Sequence, residues 1–563
     1  MCTSKVVVDM RYLLIPLLIL MITSCNVPVT PNPNISSPAV FEDVDEDFGE
    51  DPISLTPDQQ QTFDVQGDIW SGVIHNPKAH LEGSWSQIFD WPLVAYNAAL
   101  LPNGKVFTFG TKPINQYDGN GRSFFNDVWS PENGLGLDAH LTLANSTATN
   151  IFCAAQTLLS DGKLLIAGGD KTVDGQPEEN QDRFLNNAGV QDLTLYDYQT
   201  SYMTTSPIEM TKGRWYPTMT TLSNGDVLVQ GGIDATKNPS YTPEVWTRNG
   251  TWKVLSGASS PQAYNQAWSY PFSFLAPNGD VFIAGKGANM FSLDPSNNGS
   301  IRNLGVRESI GRFQGTAVMY GEGKILIAGG GAAGGTPSAS ALTIDISGDW
   351  PVVGSTDAMS IQRKYLNATL LADGKVFVNG GSSGETNAMA TAVYSSEIWN
   401  PDTEKWQLGP SSQRPRMYHS TAILLPNGTV LTAGGDRPSQ ALNFNAEIYY
   451  PPYLFKKDGS GDFAPRPTIT ALSEVGYDQA FMATVGESTK VSRITLVRFG
   501  SVTHSFNMDQ RFLELEFNQY ENRLTIQAPQ KPELAPPGYY MLFVFDENGV
   551  PSEAATVTLK PLN

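Results

Sequence analysis

Apolar and polar positions in this chain alternate in short runs rather than in helical stripes, and the runs come in pairs. The segments LVAYNAALLPNGKVFTFG (93–110), FCAAQTLLSDGKLLIAGG (152–169), WYPTMTTLSNGDVLVQGG (215–232), YPFSFLAPNGDVFIAGKG (270–287), RFQGTAVMYGEGKILIAGG (312–330), KYLNATLLADGKVFVNGG (364–381) and YHSTAILLPNGTVLTAGG (418–435) share one plan. An apolar run leads into an Asn-Gly or Asp-Gly type turn, and a second apolar run ends on a glycine pair. Two such runs joined by this dipeptide predict a β-hairpin, with a type I′ turn whose two central residues take positive φ. The turn glycines fall at 104, 162, 225, 279, 323, 374 and 428. Each interval leaves room for two more strands, such as those in EVWTRNGTWKVL (244–255) and SEIWNPDTEKWQL (396–408). Four strands per unit at this period predict an all-β chain built as a seven-bladed kelch-type β-propeller.

The residues nine positions before the turn glycines are Ala95, Cys153, Tyr216, Tyr270, Gln314, Tyr365 and His419. Equivalent positions of successive blades form a ring around a propeller axis, so these residues are expected to converge on one face. Taken singly, a Tyr or Cys at a strand end is an ordinary packing residue. Their occurrence together at one register marks a candidate site.

Composition supports a turn-rich β fold: 52 Gly, 38 Pro and only 16% charged residues in 563. A net charge of −20 offers no basic surface to nucleic acid. At the N-terminus, Arg11 precedes a short apolar run, Leu13 to Ile22, and then ITSC (22–25). This resembles a bacterial lipoprotein signal over residues 1–24, with a lipid on Cys25. An exported protein, lipid-anchored in a bacterial cell envelope or secreted, and monomeric, is expected. Residues 25–84 are expected to form a tether. Its Pro-, Asn- and Ser-rich part and the acidic run Glu42 to Asp51 cannot bury enough surface to fold.

With Cys2 and Cys25 in the signal segment, Cys153 is the only thiol expected in the folded body. The imidazoles are few: His75, His80, His140, His419 and His504. Around these residues the chain resembles the galactose oxidase/glyoxal oxidase type of copper radical oxidase. The resemblance runs from about residue 85 to the C-terminus. It is carried by FCAAQTLLSDG around Cys153, GRWYPT around Tyr216, RPRMYHSTAILLPNG around Tyr418 and His419, and FGSVTHSFNMDQR around His504. It implies a propeller over residues 85–463 and an immunoglobulin-like β-sandwich over 464–563 whose loop brings His504 into the propeller axis.

The same resemblance implies one copper ion held by Tyr216, Tyr418, His419 and His504, and a thioether between the Cys153 sulfur and the Tyr216 ring. The chemistry needs such a pair. Oxidising a primary alcohol or an aldehyde hydrate removes two electrons, whereas copper cycling between Cu(II) and Cu(I) accepts one, so a cross-linked tyrosyl radical serves as the second acceptor. Tyr418 would be the general base, and dioxygen would leave as hydrogen peroxide. The RWYP sequence at 214–217 places the chain closer to the glyoxal oxidase side, and no carbohydrate-binding domain of the galactose oxidase type precedes the propeller.

The substrate is expected to be a small or glycan-linked aldehyde or primary alcohol. Ser382 stands where galactose oxidase has a substrate-binding glutamine. Trp268 is the candidate for the family's stacking tryptophan, and Tyr270, Gln314 and Tyr365 are candidates for the pocket wall by register. Two other classes stay open: an inactive propeller acting as a binding or scaffold lipoprotein, and a hydrolytic propeller. The latter would need convergent carboxylates, which the ring positions do not supply.

Overall fold

The computed structural model describes residues 67–111, 124–172, 185–265, 267–436 and 442–562. The expected signal of residues 1–24, the lipidation site Cys25 and the acidic run Glu42 to Asp51 lie outside the described residues.

Each of the repeated segments forms a hairpin, but the turns are not of type I′. In six of them the turn glycine donates to the residue three positions back, and that residue's N–H bonds the carbonyl just after the glycine, as in Gly104 to Leu101 and Leu101 to Lys105. Only the glycine takes positive φ, 78° at Gly104 and 89° at Gly162. This is a type I turn closed by a left-handed glycine, the three-residue hairpin loop. The preceding Asn or Asp recurs for a different reason than expected: its side chain accepts the N–H two residues on, as from Lys105 to Asn103 and from Lys163 to Asp161.

Every hairpin belongs to its own antiparallel sheet, and the two outer strands follow in sequence. The sheet containing Tyr216 runs Trp215–Thr221, Val227–Ile233, Glu244–Trp246, Trp252–Val254; the one containing Tyr365 runs Lys364–Leu370, Val376–Ser382, Ser395–Asn400, Lys405–Ser411. The hairpin strands are buried and the outermost strands exposed, the burial gradient of sheets packed radially. The last sheet is completed from the start of the fold: Ser84–Trp85 and Phe89–Asp90 both pair with Asn445–Tyr450. The inner strands Ser420–Leu424 and Val94–Leu100 also touch, so the first and last sheets are neighbours. The arrangement is all-β and fits a β-propeller.

Buried ion pairs tie the hairpins to their third strands. Arg214, Arg363 and Arg416 meet Glu244, Glu397 and Glu447 at 2.8, 2.6 and 3.1 Å. Each guanidinium also donates to the first glycine of its pair, Gly231, Gly380 or Gly434. These arginines lie two or three residues before a ring position and fix the strand end from which the ring residue projects.

Residues 67–84, which composition places in the tether, are instead part of the folded body. Trp70 packs edge-on against Phe463 at 5.1 Å, Leu135 N–H bonds Gly67 O, and Ile74 N–H bonds Trp85 O. Burial of Trp70 and Ile69 supplies the apolar surface that the segment before them lacks.

The C-terminal region holds two four-stranded sheets. One is Ile469–Leu472, Ala480–Val485, Arg523–Gln527, Phe517–Tyr520; the other is Phe512–Glu514, Val491–Arg498, Gly538–Asp546, Ala555–Leu559. A shared apolar core including Phe481, Ile494, Leu524 and Leu542 fits a β-sandwich. Between strands of this region a small hairpin, Ser501–Thr503 and Phe506–Asn507, leaves it and pairs with Val94–Leu100, the inner strand of the first sheet. Among the described residues no helix is long and apolar enough to cross a membrane.

Candidate metal centre

The ring positions share one strained backbone conformation. Cys153, Tyr216, Tyr270, Gln314, Tyr365 and His419 have φ between 42° and 66°. For residues with a Cβ this left-handed region costs of order 1–2 kcal/mol each. The conformation turns the peptide sideways: Tyr216 N–H bonds Cys153 O at 3.1 Å, Tyr270 N–H bonds Tyr216 O at 2.8 Å, and Tyr365 N–H bonds Gln314 O at 2.7 Å. Successive sheets are thus stitched through the very residues whose side chains point to the axis. In the first repeat a bulge between Ala95 and Asn97 moves Tyr96 into the position instead of Ala95. The Tyr96 ring lies 4.7 Å from that of His419.

His504 arrives from the other direction. Thr503 pairs with Phe506, and the two residues between them, His504 and Ser505, have φ of 48° and 67°. This is the two-residue loop with both central φ positive, built without glycine, and it places the imidazole at the tip of a finger. Phe506 behind it wedges against Phe272 and Phe274 at 5.2 and 5.7 Å.

These elements gather a thiol, two imidazoles and two phenols at one buried point. Cys153 Sγ lies 3.4 Å from His504 Nε2 and 3.7 Å from His419 Nε2. The hydroxyls of Tyr216 and Tyr418 are hydrogen-bonded to each other. The Tyr418 ring stacks on His419 at 3.9 Å, and the Tyr216 ring is 4.8 Å from His504.

Both imidazoles are oriented from behind. His419 Nδ1 donates to Asp436 Oδ1 at 2.8 Å. The Thr503 hydroxyl bonds Tyr96 O at 3.0 Å and His504 Nδ1 at 2.6 Å. Its single proton goes to the carbonyl, so Nδ1–H is the donor in the second bond. In both rings the proton is therefore held on Nδ1 and the Nε2 lone pair faces the cluster, the tautomer a metal requires.

Burial pushes the Tyr216, Tyr418 and Tyr270 phenols well above their ordinary pKa, with Cys153 and neighbouring phenols adding to the effect. Burial, followed by His419 and Lys286, holds His504 well below the usual imidazole value. Burial thus favours the neutral forms of Tyr216, Tyr418 and His504 in the folded site. Two bare imidazole nitrogens and two phenol oxygens fit a divalent copper ion in type and direction.

The remaining candidates divide. Tyr270 lies in the cluster, its ring 4.5 Å from His504 and its hydroxyl on Cys153 O at 2.7 Å. Tyr365 meets Tyr418 edge-on at 5.3 Å. Gln314 keeps the ring backbone and gives its carbonyl to Tyr365.

Ser382 is not brought to the cluster: it is buried, and its hydroxyl bonds Thr386 O and Thr391 Oγ1 within its own loop. Trp268 is parallel to Tyr216 but 6.0 Å away. The ring in direct stacking contact is Trp215, at 3.9 Å and 14°. Trp215 escapes a reading of the sequence because it is adjacent to Tyr216. Strand alternation sends adjacent side chains to opposite faces, and the left-handed φ of Tyr216 suspends that rule.

The family model "Glyoxal oxidase N-terminus" matches residues 139–317 and 341–454, and "Galactose oxidase-like, Early set domain" matches residues 466–559. A galactose oxidase of Gibberella zeae is 28% identical over 508 residues, covering 84% of this chain and 70% of that protein. An aldehyde oxidase of Arabidopsis thaliana is 26% identical over 462 residues, covering 72% and 70%. The solved structure of a fungal alcohol oxidase in complex with copper has a TM-score of 0.74, covering 85% of this chain and 99% of that one at 24% identity, a likeness of fold.

Proposed function

Since the chain belongs to the family of the glyoxal oxidases and galactose oxidase, we propose that it is a copper radical oxidase that removes two hydrogens from an aldehyde hydrate or primary alcohol and delivers them to dioxygen as hydrogen peroxide. The observation that carries this reading is the convergence of Cys153, two phenols and two imidazole Nε2 atoms from separate segments. Tyr216, Tyr418, His419 and His504 would hold the ion. Copper bound there supplies a one-electron couple and a Lewis-acidic position for the substrate oxygen.

The chain's own residues do the rest. Tyr216, joined through its ring to Cys153 Sγ with loss of two hydrogens, would, once oxidised to a phenoxyl radical, accept the second electron and return to the phenol. Trp215 covers one face of that ring. Tyr418 Oη accepts the substrate hydroxyl proton; the burial that raises its pKa makes the phenolate, once formed, a strong base. Tyr270 and Tyr365 wall the pocket.

Several finer features belong to the same reading. The hairpin sheets are taken as the seven blades of a kelch-type propeller, and the region after residue 463 as an immunoglobulin-like domain that contributes the His504 finger. The sequence of residues 1–25 supports export and a lipid on Cys25.

The test is the peptide mass of protein incubated aerobically with copper. A Cys153 to Tyr216 cross-linked peptide, two hydrogens lighter than its parts, is expected, together with peroxide release in a screen of aldehydes and primary alcohols. Bound copper without the cross-link would overturn the radical mechanism.

A further inference from the structure

The repeat breaks its own rule at one place near the axis. In five other repeats the second glycine of the closing pair has positive φ, from 69° at Gly330 to 137° at Gly169. In the fourth repeat that position is Lys286, which does not adopt positive φ. A long cationic side chain thus enters a part of the fold where its counterparts have none.

Lys286 is 5% exposed, and its Nζ lies 5.7 Å from the centre of the Tyr270 ring and 5.6 Å from that of Phe272. Tyr270 in turn stacks on His504, with ring centres 4.5 Å apart and planes at 27°. With Tyr270 between them, the ammonium touches neither the donors nor the place an ion would take. What crosses the ring is its field: burial and His419 hold His504 below the usual imidazole value, and Lys286 adds to their effect.

No carboxylate among the described residues pairs with this charge. The carboxylate of the neighbouring loop, Glu308, is shared by Arg307 and Arg312. The Arg307 guanidinium also donates to Gly285 O and Gly287 O on either side of the lysine, each at 3.0 Å, and Arg312 N–H bonds Lys286 O at 2.6 Å. The backbone that carries the lysine is therefore pinned.

A buried ammonium without a counter-charge is costly, and the π faces of Tyr270 and Phe272 offset only part of that cost. Burial holds its pKa down to about 7, so the charge is present in mildly acidic buffer. A methionine of similar shape would fill the same space without the penalty. Packing therefore does not explain why the position is charged.

From this geometry we infer that Lys286 is a positioning residue for the redox centre: its charge, acting across Tyr270 on the His504 side of the donor cluster, favours the singly charged over the doubly charged copper ion and so raises the potential of that couple. This rests on the oxidase reading, in which one substrate electron turns Cu(II) into Cu(I). The ion loses one unit of positive charge in that step, and no atom passes to or from the lysine. One unit charge two ring spacings away, about 10 Å, at an effective dielectric of about 20, shifts such a one-electron equilibrium by about tenfold.

The experiment is an anaerobic redox titration of the copper-loaded protein at about pH 6, with Tyr216 unoxidised, followed by the Cu(II) electron paramagnetic resonance signal. Lys286→Met and Lys286→Gln, both neutral, should each lower the midpoint by the equivalent of about a tenfold change in the equilibrium constant, which is about 59 mV for one electron. Lys286→Arg keeps the charge and should stay within about threefold of wild type. Thermal melts should show Lys286→Met at least as stable as wild type, because the change removes a buried unpaired charge.

A lysine with a merely structural role predicts the reverse: a destabilised Lys286→Met with an unmoved midpoint. That result, or a shift below about twofold in both neutral variants, overturns the inference. Because the readout is the couple and not turnover, the two readings fail separately. A midpoint that still shifts in a protein with no cross-link and no peroxide release would sink the oxidase and leave the lysine's effect standing. An active oxidase whose midpoint ignores Lys286 would do the opposite.

Discussion

Beside its strand pairing with Val94–Leu100, the finger that carries His504 is held by a buried carboxylate clamp, and removing the clamp's charge should loosen both the fold and the metal site. Asp509 is buried two residues beyond the finger. Its Oδ1 accepts the Thr157 hydroxyl at 2.6 Å and Arg498 Nη1 at 2.9 Å, and its Oδ2 accepts Leu158 N–H at 3.1 Å. Arg498 also reaches Thr221 Oγ1 at 3.0 Å. A single carboxylate thus fastens the C-terminal region to the inner strands of two sheets. Asp509→Asn keeps the shape, but it leaves the buried Arg498 uncompensated and sets an amide N–H₂ against Leu158 N–H if the other bonds are kept. Breaking a buried pair from one side costs about 3–5 kcal/mol. Urea denaturation should show a loss of that size, and copper titration should show weaker binding because the His504 ligand is less well held. The double replacement Asp509→Leu with Arg498→Met should recover much of the stability, since it leaves no orphaned charge. A loss under about 1 kcal/mol with unchanged copper affinity would refute the clamp and show that strand pairing with Val94–Leu100 suffices to seat the finger.

Three further outcomes are expected. Asp436→Asn removes the carboxylate that fixes the His419 tautomer, and copper affinity should fall about 10- to 100-fold, read by competition with a chelator. Cys153→Ser should still bind copper yet show neither the cross-linked peptide nor peroxide release. Because the thioether closes a loop of roughly 60 residues, the unlinked protein should also be less stable, by about 4 kcal/mol on the loop-entropy model used for disulfides. Asp170 is buried with one carboxylate oxygen unpartnered, and burial raises its pKa from 3.8 to about 7. The folded state therefore keeps this proton where the unfolded chain has released it. Its contribution to stability falls as pH rises from 3.8 to about 7, at roughly 1.4 kcal/mol for each step of one in pH. Thermal melts should show Asp170→Asn gaining on wild type between about pH 4 and pH 7 and levelling off above, and a difference independent of pH would refute the assignment.

What could be read from the sequence was whatever repeats. The hairpin period places Cys153, Tyr216, Tyr270, Tyr365 and His419 at one register, and the structure gathers them because that register coincides with the left-handed strand-end conformation. No propensity rule foretells that conformation for Tyr, Cys or His, since it is disfavoured for each of them. The illegible parts are those where the repeat is interrupted or where backbone overrides pattern. The bulge at Tyr96 and the stacking of Trp215 on its own neighbour depend on φ values that period-two reasoning does not contain. Ser382 matches the glutamine position only by its place after a glycine pair. Its hydroxyl is satisfied locally by Thr386 and Thr391, so the backbone equivalence carries no equivalence of side-chain direction. Residues 67–84 follow polar neighbours in the sequence, whereas Ile69, Trp70 and Ala79 supply the apolar surface that docks the segment.

The strain in the ring and the placement of the donors are two sides of one arrangement. A left-handed residue is disfavoured alone, yet at Tyr216, Tyr270 and Tyr365 it turns a backbone N–H to bond the residue before it in the ring, Cys153, Tyr216 and Gln314 respectively. A propeller sheet could close without these bonds only by leaving buried amides unpaired, at a cost comparable to the strain. The same bonds fix the Cα positions of Cys153 and Tyr216 relative to each other before any ion arrives, and Asp436 and Thr503 fix the imidazole tautomers in the same way. The candidate donor atoms are therefore set by the fold's own hydrogen bonds. With both phenols neutral and His504 kept neutral by burial, the folded cluster favours a cation that can displace phenol protons, and binding should release protons in proportion. The buried cation Lys286 sits behind Tyr270 and not among the donors, so it leaves the metal position free.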